Sequence, residues 1–163
     1  MTKASGISAL QWLFLALVAL LFSASAAAAK ILPESQSELA IEYTNSQQKL
    51  DLETAKNLPS TDWHKLNTDR ASFGYTTDEY WFRFKLDAKP YDRILHIAYP
   101  LLDELTIYIM RPEGVRTYRM GDTLPFYERP IPTSEFAVPL PNDIGGEIYI
   151  KTNTQSSMRL PIA

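Results

Sequence analysis

The sequence predicts an all-β protein, an antiparallel β-sandwich. Short runs alternate side chains with a period of two, as in Tyr80-Trp-Phe-Arg-Phe-Lys-Leu86 and Leu105-Thr-Ile-Tyr-Ile-Met110, so each run has one face fit for burial. Proline and glycine punctuate the runs, at Pro90, Pro100, Pro112 and Gly145-Gly146, where turns are expected. No strand–helix–strand unit, internal repeat or low-complexity tract interrupts the series, and one-sided alternation is what two facing antiparallel sheets require.

The elements follow in order. Lys3, the apolar run Leu10–Phe22 and the small residues Ser23–Ala29 have the layout of a secretory signal peptide over residues 1–29, with two A-x-A cleavage sites. The alternative is an uncleaved anchor, which reaches bilayer-spanning length only if the alanines are counted. Both readings export residues 30–163 to the periplasm or cell envelope as one β-domain. Leu39–Tyr43 is a first strand, and Leu52–Leu58 a short helical turn ended by Pro59. Ser60–Thr77 is loop with two apolar anchors, Trp63 and Phe73.

In the run from Tyr80, residues Tyr80, Phe82, Phe84 and Leu86 share one face, with Trp81, Arg83 and Lys85 on the other. Ile94–Tyr99 points Leu95 and Ile97 inward. Leu105, Ile107 and Ile109 alternate against Thr106, Tyr108 and Met110, and Val115–Met120 returns as the hairpin partner. Glu135–Leu140 groups Phe136, Val138 and Leu140. Asn142–Gly146 turns into Glu147–Lys151, and Met158–Ile162 is the last apolar stretch. The last strand is expected to be incomplete at Ala163, and the natural reading frame to run on into hydrophobic helices.

Composition excludes several classes of function. The 163 residues contain no cysteine and carry a formal net charge of −3, so there is no disulfide framework, thiolate nucleophile or cysteine metal site. Without a basic stripe, neither nucleic acid nor an anionic membrane surface is an expected partner. His64 and His96 lack metal-ligand spacing. There is no nucleophile elbow, phosphate loop or calcium-loop series. No catalytic residue, metal site or cofactor is assigned, and the expectation is that the chain is not an enzyme.

Five residues stand out as ligand-binding candidates: Trp81, Arg83, Tyr108, Tyr127 and Arg129. Trp81 and Arg83 project from one strand face. A flat aromatic beside a planar donor fork suits the apolar face and hydroxyl rim of a sugar, and the arginine also suits a carboxylate or phosphate. The competing reading is that Trp81 seals the sandwich edge or packs under the N-terminal loop. Tyr108 and Tyr118 are read as outward aromatics, and Phe126–Arg129 as a loop lining a cleft. Three residues are read as structural. Gly121 takes a special backbone angle, Asp122 caps a turn and pairs bidentately with Arg129, and Asp103 is a turn or buried-pair carboxylate.

Six segments also carry a family likeness: Tyr80-Trp-Phe-Arg-Phe84, Tyr99-Pro-Leu-Leu-Asp-Glu-Leu-Thr-Ile-Tyr108, Gly121–Pro130, Phe136-Ala-Val-Pro-Leu140, Ile148-Tyr-Ile-Lys151 and Ser156–Pro161. In this order and spacing the chain resembles the second type of extracellular domain of bacterial seven-transmembrane receptors with diverse intracellular signalling modules. The resemblance implies a jelly-roll-like sandwich similar to carbohydrate-binding modules, and a periplasmic sensory role with a carbohydrate or small anionic ligand. It also implies a membrane-embedded signalling module as partner, followed by an output domain, neither of which lies in this sequence. The alternatives are a stand-alone secreted glycan-binding module and a homodimerising structural domain that associates through exposed tyrosine and methionine.

Overall fold

The computed structural model describes residues 39–66, 71–140, 142 and 145–162. The expected signal peptide lies outside the described residues. The described chain forms ten strands: β1 (Glu42–Ser46), β2 (His64–Lys65), β3 (Ser72–Tyr75), β4 (Glu79–Leu86), β5 (Arg93–Ile97), β6 (Glu104–Arg111), β7 (Gly114–Met120), β8 (Phe136–Leu140), β9 (Gly146–Asn153) and β10 (Ser157–Arg159). One short helix, α1 (Leu52–Lys56), and single 3-10 turns at Ser60–Asp62 and Phe126–Glu128 interrupt them.

Six strands make one antiparallel sheet in the order β2-β1-β4-β9-β6-β7. β5 pairs with β8 and β10 with β3, and a bridge between Ile97 and Ile162 ties the β5 pair to the chain beyond β10. Their inward side chains meet those of the six-stranded sheet. Phe82, Phe84, Ile107 and Ile150 from the large sheet share one buried cluster with Ile97, Phe136, Val138 and Met158 from the other layer. The predicted all-β antiparallel fold is the observed one. The predicted inward faces of β4, β5, β6 and β8 are all buried, because period-two alternation leaves a half-buried strand no other register.

Differences arise where sequence is polar. The first strand begins at Glu42 instead of Leu39. Its ladder to β4 runs from Glu42 opposite Arg83 to Ser46 opposite Glu79, and pairing, not hydrophobicity, sets its limits. The segment read as loop over Ser60–Thr77 holds the 3-10 turn, β2 and β3. These are two- and four-residue strands with exposed residues, too short for alternation to show. Tyr118 lies opposite Ile107 and packs against the main core, so it faces inward rather than outward: Val115–Met120 takes its register from Met120, which pairs with Leu105 and is buried.

Gly121 does not have the expected positive φ; among described glycines only Gly74, Gly114 and Gly146 do. Gly121 is required by crowding instead. A Cβ there would lie 2.1 Å from the carbonyl oxygen of Asp103. The contact arises because the main-chain amide of Asp122 donates to Leu102 O at 2.7 Å, stapling the end of β7 to the loop before β6. Asp103 Oδ2 accepts from Gln155 N at 2.7 Å, a contact between two distant loops.

Candidate functional site

Trp81, Arg83 and Tyr108, read from the sequence as outward side chains of two strands, lie on the outer face of the six-stranded sheet, away from the main core. Strand register brings them together. Arg83 lies opposite Glu42 on one side and Tyr149 on the other, and Tyr149 lies opposite Tyr108. In the next row Trp81 sits between Thr44 and Lys151. Trp81 and Tyr108 stack with ring centroids 5.8 Å apart and 6° between planes.

This face is not open. The segment Leu50–Trp63 crosses it as a strap and builds a second, smaller core from Ala55, Trp63, Trp81 and Tyr149, with Leu50, Leu52, Leu58, Tyr108 and Met110 against it. Local sequence explains the strap's shape. Asp51 caps α1 by accepting from Thr54 N at 2.7 Å, Ala55 fits against the sheet with no exposed surface, and Pro59 precedes the turn that delivers Trp63. The strap leaves Trp81 with 0% exposure. Trp81 therefore offers no platform in this structure; it packs beneath the N-terminal segment, the second of its two predicted roles.

The charged groups of this face are engaged too. Arg83 Nε meets Glu42 Oε2 at 2.7 Å, and its guanidinium lies over the Trp63 ring at 4.2 Å. Glu79, 5% exposed, holds the strap. Its Oε1 accepts from Leu50 N at 3.0 Å and from the Trp81 indole N–H at 2.9 Å, and its Oε2 pairs with Lys151 Nζ at 2.9 Å. Lys151 in turn donates to Leu50 O at 3.0 Å. Both main-chain groups of Leu50 are thus gripped by one ion pair, in which the buried Glu79 Oε2 has the part-exposed Lys151 as its charge partner but makes no hydrogen bond. Burial raises the Tyr108 and Tyr149 phenols above the ordinary tyrosine value, and the neighbouring Glu147 adds to the effect at Tyr149.

Tyr127 and Arg129 lie apart from this group, in the β7–β8 connection. Tyr127 is 84% exposed and Phe126 51%. Arg129 braces the loop, but not through Asp122. Its Nη1 donates to the carbonyls of Thr133, Ser134 and Glu135, and its guanidinium lies over Phe126 and Phe136 at 4.9 and 4.6 Å. The loop doubles back on itself, so its own carbonyls reach the arginine first.

A groove of about 480 Å3 opens where the strap meets the end of β1. Its polar lining is Asn45, Ser46, Thr61, Asp62 and His64; Leu50 and Leu58 give it an apolar wall. Thr44, buried beside Trp81, also lines it. None of these was singled out from sequence as a site residue, since scattered Ser, Thr and Asn in weakly patterned sequence give no signal. Lys151 did give one: a lysine on the same strand face as Tyr149, in an otherwise apolar run, asks for a buried partner.

Residues 37–163 match the family described as 7TMR-DISM extracellular 2. The chain belongs to this family. No curated protein matches the chain. Membership of 7TMR-DISM extracellular 2 makes this an extracytoplasmic domain of the receptor-sensory kind, associated in the full-length receptor with a membrane-embedded seven-helix module. Among the described residues no helix is long and apolar enough to cross a membrane, and no three metal-capable side chains converge.

Proposed function

We propose that the chain is the periplasmic ligand-binding domain of a bacterial membrane receptor. In this reading the strap-covered sandwich receives a carbohydrate or small anionic ligand and hands the change to a membrane signalling module, without catalysis of its own. The observation that carries the proposal is the family match across residues 37–163, which covers both layers of the sandwich. The strap supports it physically. It is a short segment whose hold on the sheet rests on a few named contacts around Leu50 and Trp63, the kind of element that can move without unfolding the core.

The test is expression of the full chain with its own N-terminus, followed by osmotic-shock fractionation and intact mass. Release with the periplasmic fraction, with the chain beginning after Ala26 or Ala29, is the expected result. Retention of full-length protein in the cytoplasm contradicts it.

A further inference from the structure

The loops at one end of the sandwich expose apolar side chains that the sensory reading leaves unused. We propose, beyond that reading and independently of it, that this end is a docking surface for a protein partner with a basic contact face. Phe126 and Tyr127 are its apolar anchors, and the carboxylates around them steer the partner.

Strand register assembles the surface. Ile97 of β5 lies opposite Phe136 of β8, Leu105 of β6 opposite Met120 of β7, and Glu104 of β6 opposite Asn153 of β9. The β5–β6, β7–β8 and β9–β10 connections therefore all leave from one end. They are also stitched together. Leu101 O accepts from the Thr154 and Ser156 hydroxyls, both at 3.1 Å. Leu102 O accepts from Asp122 N, and Asp103 O from the Thr123 hydroxyl, each at 2.7 Å. With Asp103 Oδ2 holding Gln155 N, three loops form one platform.

Large apolar side chains stand on this platform in solvent. Leu101 and Phe126 are half-exposed, and Tyr127 projects almost entirely. They do not belong to a slack loop. Arg129 grips the carbonyls of Thr133, Ser134 and Glu135 and lies over the Phe126 ring, and Pro125, Pro130 and Pro132 each fix a backbone angle. Exposure of such side chains to water is unfavourable. Aromatic anchors that are already held in place lose little freedom on binding, and tyrosine and phenylalanine are enriched where proteins meet.

Charge selects the partner. Residues 98–104 and 121–135 hold five carboxylates, at Asp103, Glu104, Asp122, Glu128 and Glu135, against one cation, Arg129. That is a net of −4, where the whole chain carries −3, so negative charge is concentrated at this end. His96 takes up Glu135, and Arg129 is turned onto main-chain carbonyls, whereas Glu104, Asp122 and Glu128 are exposed. A second copy docking through the same end would set these carboxylates against themselves, and a phosphate-bearing surface would meet the same repulsion. A basic polypeptide face is attracted, and its lysines and arginines find carboxylates around the aromatic pair.

The experiment is fluorescence anisotropy with the purified full chain and three labelled synthetic peptides as probes. One alternates lysine with leucine, one lysine with glycine, and one glutamate with leucine. The expected result is saturable binding of the lysine–leucine peptide, about tenfold or more tighter than either of the others, and weakened by added salt. Replacing Phe126→Ala and Tyr127→Ala together lowers the affinity by about tenfold or more. Asp122→Lys with Glu128→Lys lowers it by a similar factor and removes most of the salt dependence. Tyr91→Ala, which truncates an exposed tyrosine in the β4–β5 connection at the other end, leaves it unchanged. Circular dichroism establishes that each variant is folded. No binding of the lysine–leucine peptide by the folded chain, equal binding of the glutamate–leucine peptide, or an equal loss in Tyr91→Ala overturns the proposal. Sedimentation of the chain alone supplies the remaining check. A concentration-dependent dimer that the Phe126→Ala, Tyr127→Ala variant abolishes makes a second copy the occupant and overturns the basic partner.

Discussion

Replacing Glu79 by alanine removes the acceptor for Leu50 N and for the Trp81 indole, and leaves Lys151 beside an empty apolar space. Breaking a buried ion pair from one side costs about 3–5 kcal/mol. Lys151 retains 24% side-chain exposure, so part of its charge is resolvated and the lower end applies, about 3 kcal/mol. In a domain of this size that corresponds to a fall in Tm of roughly 10 °C. Glu79→Gln keeps the carbonyl acceptor but loses the charge, and costs about 1–2 kcal/mol. A double replacement, Glu79→Met with Lys151→Met, recovers much of the loss, because an apolar pair has no unpaired charge to bury. Thermal and urea unfolding, followed by tryptophan fluorescence and circular dichroism, measure all three. If Glu79→Ala and Glu79→Gln both stay within about 0.5 kcal/mol of the parent, as ordinary surface changes do, the ion pair does not hold the strap and the reasoning fails.

Other expectations follow from the same contacts. Gly121→Ala pushes a Cβ against Asp103 O and costs about 2–3 kcal/mol through backbone displacement, whereas Gly74→Ala, with φ of +74° and open space around it, costs about 1–2 kcal/mol; paired urea melts decide the order. Arg129→Ala removes three main-chain hydrogen bonds from the β7–β8 loop and lowers stability by about 1–2 kcal/mol, with faster proteolysis between Phe126 and Glu135 as the local readout. Tyr80, Tyr108 and Tyr149 are all raised above the ordinary tyrosine value, mainly by burial. Their contribution is therefore fully present below the unfolded-chain value and is lost as pH climbs through the folded values. Unfolding free energy should fall at alkaline pH, and less steeply in a Tyr108→Phe, Tyr149→Phe variant.

What could be read in the sequence divides along physical lines. The inward faces of β4, β5, β6 and β8 were legible because aliphatic and aromatic residues recur every second position and nothing else satisfies that pattern. That Trp81 and Arg83 share a face of their strand was legible for the same reason; their meeting with Tyr108 was not, since it comes from the pairing of β4 and β6 with β9. That Trp81 packs under an N-terminal segment was one of its readings; the covering of the whole face was not legible. It depends on a strap distant in sequence, Leu50–Trp63, whose one strong signal is Trp63. Lys151 donates to Leu50 O across 101 positions of chain, and no local pattern encodes such a partner. At Gly121 the constraint is the close approach of Asp103 O, and close approach of another segment leaves no trace beside the glycine itself. Asp122 and Arg129 flank the same loop, yet the arginine reaches main-chain carbonyls, which every sequence supplies equally. Met110, which alternation put on the outward side of its strand, packs against the second core under the strap.

The most direct test of the closed outer face is hydrogen exchange at two protons, the indole N–H of Trp81 and the main-chain N–H of Leu50. Both end on Glu79 beneath or within the strap. A strap seated as described, and able to open locally, predicts exchange of the Trp81 indole slowed far below that of an exposed indole but faster than the core amides of β4 and β9, with Leu50 N–H protected far beyond an ordinary loop amide. Exchange of both at the rate of exposed groups would contradict the account. It would mean that the strap stands open in solution, and that Trp81, Arg83 and Tyr108 present the aromatic face themselves.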